Sequence, residues 1–204
     1  MSDDIYIGCR VSSKLSSDLE TGLRKSNKEA AQTRTCIVEA AADHLRRSGI
    51  AEASVADIMA AAGLTHGGFY RHFRSKEHLV AEALTAASEK ILMAVRRSVA
   101  AGGVNAAVDD YLSPKHRDSA TPICPFAAFG SELRHAGDET KAAAANALEA
   151  LFTTLAEGRT TAKARSNAIV WLATMVGAMT LARAVADDAI ADEILDSARR
   201  ALHR

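Results

Sequence analysis

Residues 54–80 read SVADIMAAAGLTHGGFYRHFRSKEHLV. Ser54 opens a helix as its N-cap, with Asp57 three residues on. Val55, Ile58, Met59 and Ala62 fall on one apolar face, and Gly63 ends the helix. Leu64-Thr65 restarts at once, with Thr65 as the next N-cap. Phe69 and Phe73, one turn apart, form a buried stripe. Ser75-Lys76-Glu77 then opens a longer helix that turns Leu79, Val80, Leu84 and Ile91 inward. Two short helices joined across Gly63 predict a helix-turn-helix.

The second of these short helices carries Gly67 and Gly68 side by side. Each costs about 1 kcal/mol relative to alanine in a helix. Packing alone gives no return for that cost. Glycine admits the close approach of another surface, and a helix N-terminus attracts phosphate. Thr65, His66 and Gly67 can therefore meet base edges or phosphates in a major groove. Tyr70, His72 and Lys76 offer phosphate donors, and Arg71 lies on the same face.

The same pattern extends outward. Ser26 and Glu29 form a capping box, and Ile37, Val38, Ala41 and Leu45 follow at helical spacing up to Gly49. Beyond the fourth helix, Ala101-Gly102-Gly103 breaks the pattern, and a helix over 104–112 ends at Ser113-Pro114. Residues 113–125 hold all three prolines and read as an irregular loop. Pro125 leads a helix to Ala136, Asp138 caps one to about Glu157, and Gly158 stops it. A long apolar helix runs from Thr161 to Ala186, and a last one begins at Asp187-Asp188 and ends among Arg199 and Arg200.

Composition agrees. The 204 residues include 43 alanines, nine aromatics and three prolines. That suits closely packed helices and excludes a β-sandwich or barrel, which needs β-branched and aromatic strands, and a disordered chain. The fold class is all-α: an N-terminal three-helix helix-turn-helix domain and a C-terminal helical bundle.

Net charge is zero, which speaks against nucleic acid until it is divided by region. Residues 24–76 carry net +4, the tail 1–23 carries −2, and residues 77–204 carry −2. A basic excess on the helix-turn-helix is the footprint of a DNA-binding domain. The domains expected are thus a flexible tail over 1–23, a DNA-binding domain over 24–76 and a ligand-binding and dimerisation domain over 77–204. Cys9, Cys36 and Cys124 are odd in number and widely spaced, which argues against a disulfide framework and fits a reducing cytoplasm. The longest uncharged run, between Arg165 and Arg183, holds Asn167, Thr174, Gly177 and Thr180. It reads as a buried helix, being shorter than the roughly 20 apolar residues a membrane span needs.

The order and spacing of these pieces resemble the DNA-binding domain of the tetracycline-repressor (TetR) family. The resemblance rests on 33-TRTCIVEAA-41, 54-SVADI-58, 62-AGLT-65, 69-FYRHF-73 and 75-SKE-77. It implies an N-terminal DNA reader and a C-terminal domain for ligand binding and dimerisation. By position it implies Thr65, His66 and Gly67 at the start of the recognition helix, with Tyr70, His72 and Lys76 on the DNA backbone. The function implied is a cytoplasmic repressor that binds a palindromic operator as a homodimer and is released by a small molecule. The last two helices would pair with their copies, with Trp171, Val176, Gly177, Leu181, Ile190, Ile194 and Leu202 as interface candidates.

The ligand pocket is less legible. Its candidates are Tyr111, Phe126, Phe129, Phe152, Trp171 and Met175, the large side chains of an alanine-rich bundle. Cys124, where the loop enters a helix, joins them as a candidate redox or electrophile sensor. Two remote alternatives are a non-DNA adaptor and an enzyme using Cys124 with His116 or His135, for which no third orienting group is legible. No metal set is expected, since His66, His72 and His78, spaced six apart, do not share a helical face, and no cofactor.

Overall fold

The computed structural model describes residues 27–119 and 124–203. The expected tail over 1–23 and the Ser26 cap lie outside them. Among the described residues there are only helices and connections, with no strand.

The N-terminal unit follows the sequence pattern closely. Helix α1 (Asn27–Ser48) ends at Gly49, whose φ of +80° continues the chain in the left-handed region. In α2 (Val55–Ala61) the Ser54 hydroxyl accepts from the Asp57 amide at 3.0 Å, as a capping box requires. Gly63 turns the chain at φ +72°. The next segment, η1 (His66–Arg71), is a 3-10 helix rather than the α-helix expected. Two adjacent glycines weaken the local α preference, and Gly68 N bonds back to Thr65 O at 3.1 Å. Helix α3 (Lys76–Tyr111) is capped by Ser75 and broken at Gly102 and Gly103. Ile37, Leu45, Ile58, Met59, Phe69, Phe73, Leu79 and Leu84 fill a common core.

The α3 break reverses direction. Twelve residues of straight helix rise about 18 Å, yet the Ser98 hydroxyl donates to the Asp110 carboxylate. The two arms of α3 therefore lie side by side. The expected irregular loop begins instead with a one-turn helix, α4 (Pro114–Arg117), whose His116 amide donates to the Ser113 hydroxyl. Then come α5 (Pro125–Phe129) and a second 3-10 turn, η2 (Gly130–His135). The expectation of one helix across this stretch fails at Gly130, where the hydrogen-bond pattern changes.

Helix α6 (Asp138–Leu155) starts where expected, but Asp138 is not its cap. The Glu77 carboxylate of α3 accepts from the Thr140 amide at 2.9 Å and does that work from another helix. Helices α7 (Ala162–Ala184) and α8 (Asp188–Leu202) have local caps at Thr161 and Asp187. Their inner residues, among them Leu172, Met175, Met179 and Leu195, close a second core with Leu151, Leu155 and Val108.

α7 is not buried all round, contrary to the sequence reading. Val170 and Leu181 are 56% and 60% exposed, and Ile169 is also exposed. Two helices, Lys76–Tyr111 and Ala162–Ala184, are long and apolar enough by composition to cross a membrane. In this fold the first is broken at Gly102 and Gly103, and both pack through one face into a core.

Candidate nucleic-acid interface

η1 has a sharply two-sided surface. Phe69 is 1% exposed and stacks on Phe73 with ring centroids 5.7 Å apart. On the opposite side Thr65, His66, Gly67, Tyr70 and Arg71 are all exposed, Tyr70 to 74%. Thr65 has extended backbone geometry but makes no side-chain cap bond. Its hydroxyl is left to face outward. A Cβ at Gly67 would meet nothing within 4 Å. Packing within the chain thus gives no reason for glycine there, and the backbone at Gly67 is open to close approach from outside. The exposed set offers a hydroxyl, an imidazole, a phenol and a guanidinium around a stretch of backbone bare of side chain.

The far end of this surface is held by a clamp that the sequence did not reveal. Arg34 of α1 pairs through both terminal nitrogens with Glu82 of α3. Its Nε donates to the His72 carbonyl at 3.3 Å, and its guanidinium lies 4.5 Å from the Phe73 ring centroid. The partner guanidinium holds the Glu82 carboxyl below its ordinary pKa. His78 Nε2 lies 2.9 Å from the same carboxylate. His72 is half-buried, and its carbonyl is the clamp's acceptor. Lys76 is also half-buried and donates from Nζ to the Ile50 carbonyl at 3.2 Å.

This changes how the basic excess is distributed. Arg34 and Arg46 are used inside the unit, Arg46 being 8% exposed beside Asp43. Arg74 pairs with Glu139 at 2.7 Å. Arg71 and Arg47 remain exposed.

Residues 37–83 match the family model described as bacterial regulatory proteins, tetR family. These residues form a TetR-type DNA-binding domain. Over 58 residues the chain is 41% identical to the HTH-type transcriptional regulator TtgR of Pseudomonas putida, a match covering 28% of each chain. It thus spans little more than a quarter of the curated relative. The likeness of fold extends much further. A TetR-family transcriptional regulator from Cytophaga hutchinsonii superposes with a TM-score of 0.69 at 23% identity, covering 90% of this chain and 97% of that one. A TetR transcriptional regulator from Chloroflexus aurantiacus does so at 0.66 and 26%, covering 86% and 94%.

In this TetR-type fold the candidate pocket residues do not converge. A cleft in the body, about 560 Å³, is lined by Tyr111 but by none of the other six. Phe129 is buried in the N-terminal core, beside the helices of the reader. Phe126 packs against both cores. Phe152 borders a separate cavity of about 240 Å³, with Arg165 over its ring. Met175 and Trp171 belong to the second core, and the Trp171 indole donates to the Leu202 carbonyl at 3.3 Å.

Cys124 is 0% exposed, and burial pushes its thiol pKa up. The lowered pKa expected of a helix-entry cysteine is absent, because α5 is one short turn and desolvation outweighs its amides. The sensor reading is not favoured.

His116 is 5% exposed, and its Nδ1 lies 2.7 Å from the Tyr111 carbonyl. The ring therefore donates from Nδ1 to that carbonyl. Burial is the main cause that holds its pKa below the ordinary 6.5, with nearby Arg183 adding to it. In the unfolded chain the ring takes a proton as pH falls through that ordinary value, while the folded chain resists. Stability is then lost on going from neutral to mildly acid pH. Urea midpoints between pH 7 and pH 5 should fall less for His116→Gln than for the parent; equal slopes would exclude His116 as a cause.

Proposed function

We propose that this chain is a ligand-responsive transcriptional repressor of the cytoplasm that binds a palindromic DNA operator as a homodimer. The observation that carries the reading is the two-sided η1: an anchored aromatic inner face and an unpartnered polar outer face over Gly67. In this reading Thr65, His66 and Gly67 enter the major groove. Tyr70, Arg71, His72 and Lys76 bind the flanking phosphates. TtgR, named as a transcriptional regulator, supports the class of activity.

The dimer would form through the outer face of α7 and α8. Val170, Gly177, Leu181 and Ile190 are exposed there, and Val176, Ile194 and Trp171 are half-buried at its margin. Leu202, an interface candidate from the sequence, is 7% exposed and turned into the chain's own core. Two readers in a dimer meet two half-sites on one side of the duplex. Leu181→Glu should convert the dimer to a monomer by light scattering; an unchanged mass would move the interface elsewhere.

The DNA reading is tested by retardation of a duplex from upstream of the chain's own gene. Tyr70→Ala should lower affinity about tenfold, corresponding to the loss of a phosphate hydrogen bond of about 1.4 kcal/mol. Its melting temperature should stay unchanged, because Tyr70 is 74% exposed. Equal affinity for parent and variant would remove Tyr70 from the interface. A small molecule in the C-terminal body would release DNA by favouring a spacing of the two readers that no longer fits successive grooves.

A further inference from the structure

The Gly102–Gly103 break does more than shorten a helix. It folds the two arms of α3 against each other, and with α4 they enclose the cleft of about 560 Å³. Its floor is hydrocarbon: Ile91, Val95 and Ala107, with the buried Tyr111 ring. Arg97 and Lys115 also line it, one from each side, and both are exposed. Among the described residues neither has a hydrogen-bond or ion-pair partner. Asp110 is the one carboxylate lining the cleft among the described residues, and it accepts from the Ser98 hydroxyl. The cleft thus combines an apolar floor with two cations that no carboxylate pairs and one carboxylate held by a hydroxyl, leaving its lining net positive. That arrangement fits a molecule with a hydrocarbon body and one anionic end.

We propose that this cleft is the effector site and that its ligands are amphiphilic organic acids, the hydrocarbon lying along α3 and the carboxylate between Arg97 and Lys115. The inference deepens the ligand-responsive reading above and rests on it. The cleft touches both arms of α3, and the first arm continues directly from Lys76 beside the reader. A ligand that wedges the arms acts on the helix that carries the reader.

The test uses the full chain, isothermal titration and three probes below their aggregation limits: decanoate, decanol and decylammonium. Decanoate should bind saturably, one per chain and about tenfold tighter than decanol, the scale of one or two partly exposed ion pairs. Decylammonium should bind more weakly than decanol. Arg97→Gln combined with Lys115→Gln should erase the preference for decanoate and leave decanol binding in place. Ala101→Trp, at an exposed position on the rim, should block both. Ala94→Trp, within the cleft, serves as a second blocking variant, each checked by circular dichroism for an unchanged fold.

Equal binding of decanoate and decanol, or binding untouched by the double variant, overturns the assignment. The titration contains no DNA, so it fails separately from the operator reading. If the chain retards DNA and decanoate does not bind, only the cleft assignment falls. If decanoate binds as described and no DNA is retarded, the repressor reading falls. Decanoate that binds here and leaves operator affinity unchanged overturns the effector role.

Discussion

Replacing Phe73 by alanine is expected to destabilise the chain by about 3–5 kcal/mol, the usual cost of deleting a buried phenyl ring. Phe73 is 1% exposed and stacks on Phe69. The loss is compounded by what rests on the ring. The Arg34 guanidinium lies over its face, and the His78 ring meets its edge at 5.9 Å. Without the phenyl, the clamp on the carbonyl of His72 loses its floor. A whole domain of this kind is stable by about 5–15 kcal/mol, so the variant should keep only part of its reader folded at 37 °C. Urea unfolding followed by far-ultraviolet circular dichroism measures this. A loss under about 1 kcal/mol, typical of a surface change, would mean that the aromatic stripe is not the anchor of η1.

Glu132→Ala should have the second largest effect, through backbone amides far away in sequence. The Glu132 carboxylate accepts from the Ile50 amide at 2.9 Å and from the Ala51 amide at 2.8 Å. It thereby ties η2 of the body to the turn between α1 and α2 of the reader. Gly49 makes room for it: a Cβ there would lie 2.2 Å from Glu132 Oε1, on a backbone already at φ +80°. Alanine at 132 leaves two amides without their acceptor. Ile50 is half-buried and Ala51 exposed, so water restores one more readily than the other. The expected cost is about 1–3 kcal/mol, that of one buried donor left unpaired. Amide exchange at Ile50 and Ala51 should speed up well before global unfolding does, and Glu132→Gln should retain much of the protection through its remaining carbonyl oxygen. Unchanged exchange in Glu132→Ala would show that the tie carries no load. A released tie should also weaken any coupling between the cleft and the reader, since this contact joins the two halves of the chain.

The N-terminal unit was legible because its signals are local. Ser54 and Asp57 are three residues apart, and Gly49 and Gly63 mark turns of positive φ within a few residues of the helices they end. Phe69 and Phe73 need only helical spacing to share a side. The outer face of η1 follows from that, so its candidate DNA contacts fall on one exposed surface, with His72 and Lys76 at its half-buried edge. The 3-10 geometry was not legible, since adjacent glycines signal a weak α-helix without naming its replacement.

The rest depended on contacts between distant residues. Arg34 counts as surface charge in a sequence, yet it meets Glu82, 48 residues on. Asp138 has the form of a cap, yet Glu77 caps α6 from 63 residues away. Phe129 has the character of a pocket residue, yet the short α5 delivers it to the reader's core. The cleft owes its existence to the reversal of α3, and composition alone could not show that Arg97 and Lys115 would flank it. Of the seven pocket candidates Tyr111 lines that cleft, while Phe129 lies in the N-terminal core and Phe152 borders the smaller cavity.

The central claim is that the outer face of η1 engages the phosphate backbone and groove of double-stranded DNA. Retardation of a duplex from upstream of the gene, titrated with the parent chain at 50 and 200 mM salt, addresses it most directly. Binding should saturate at low salt and weaken by about 10³-fold or more at high salt, as phosphate contacts made by two readers require. No retardation at 50 mM, or an affinity indifferent to salt, would contradict it.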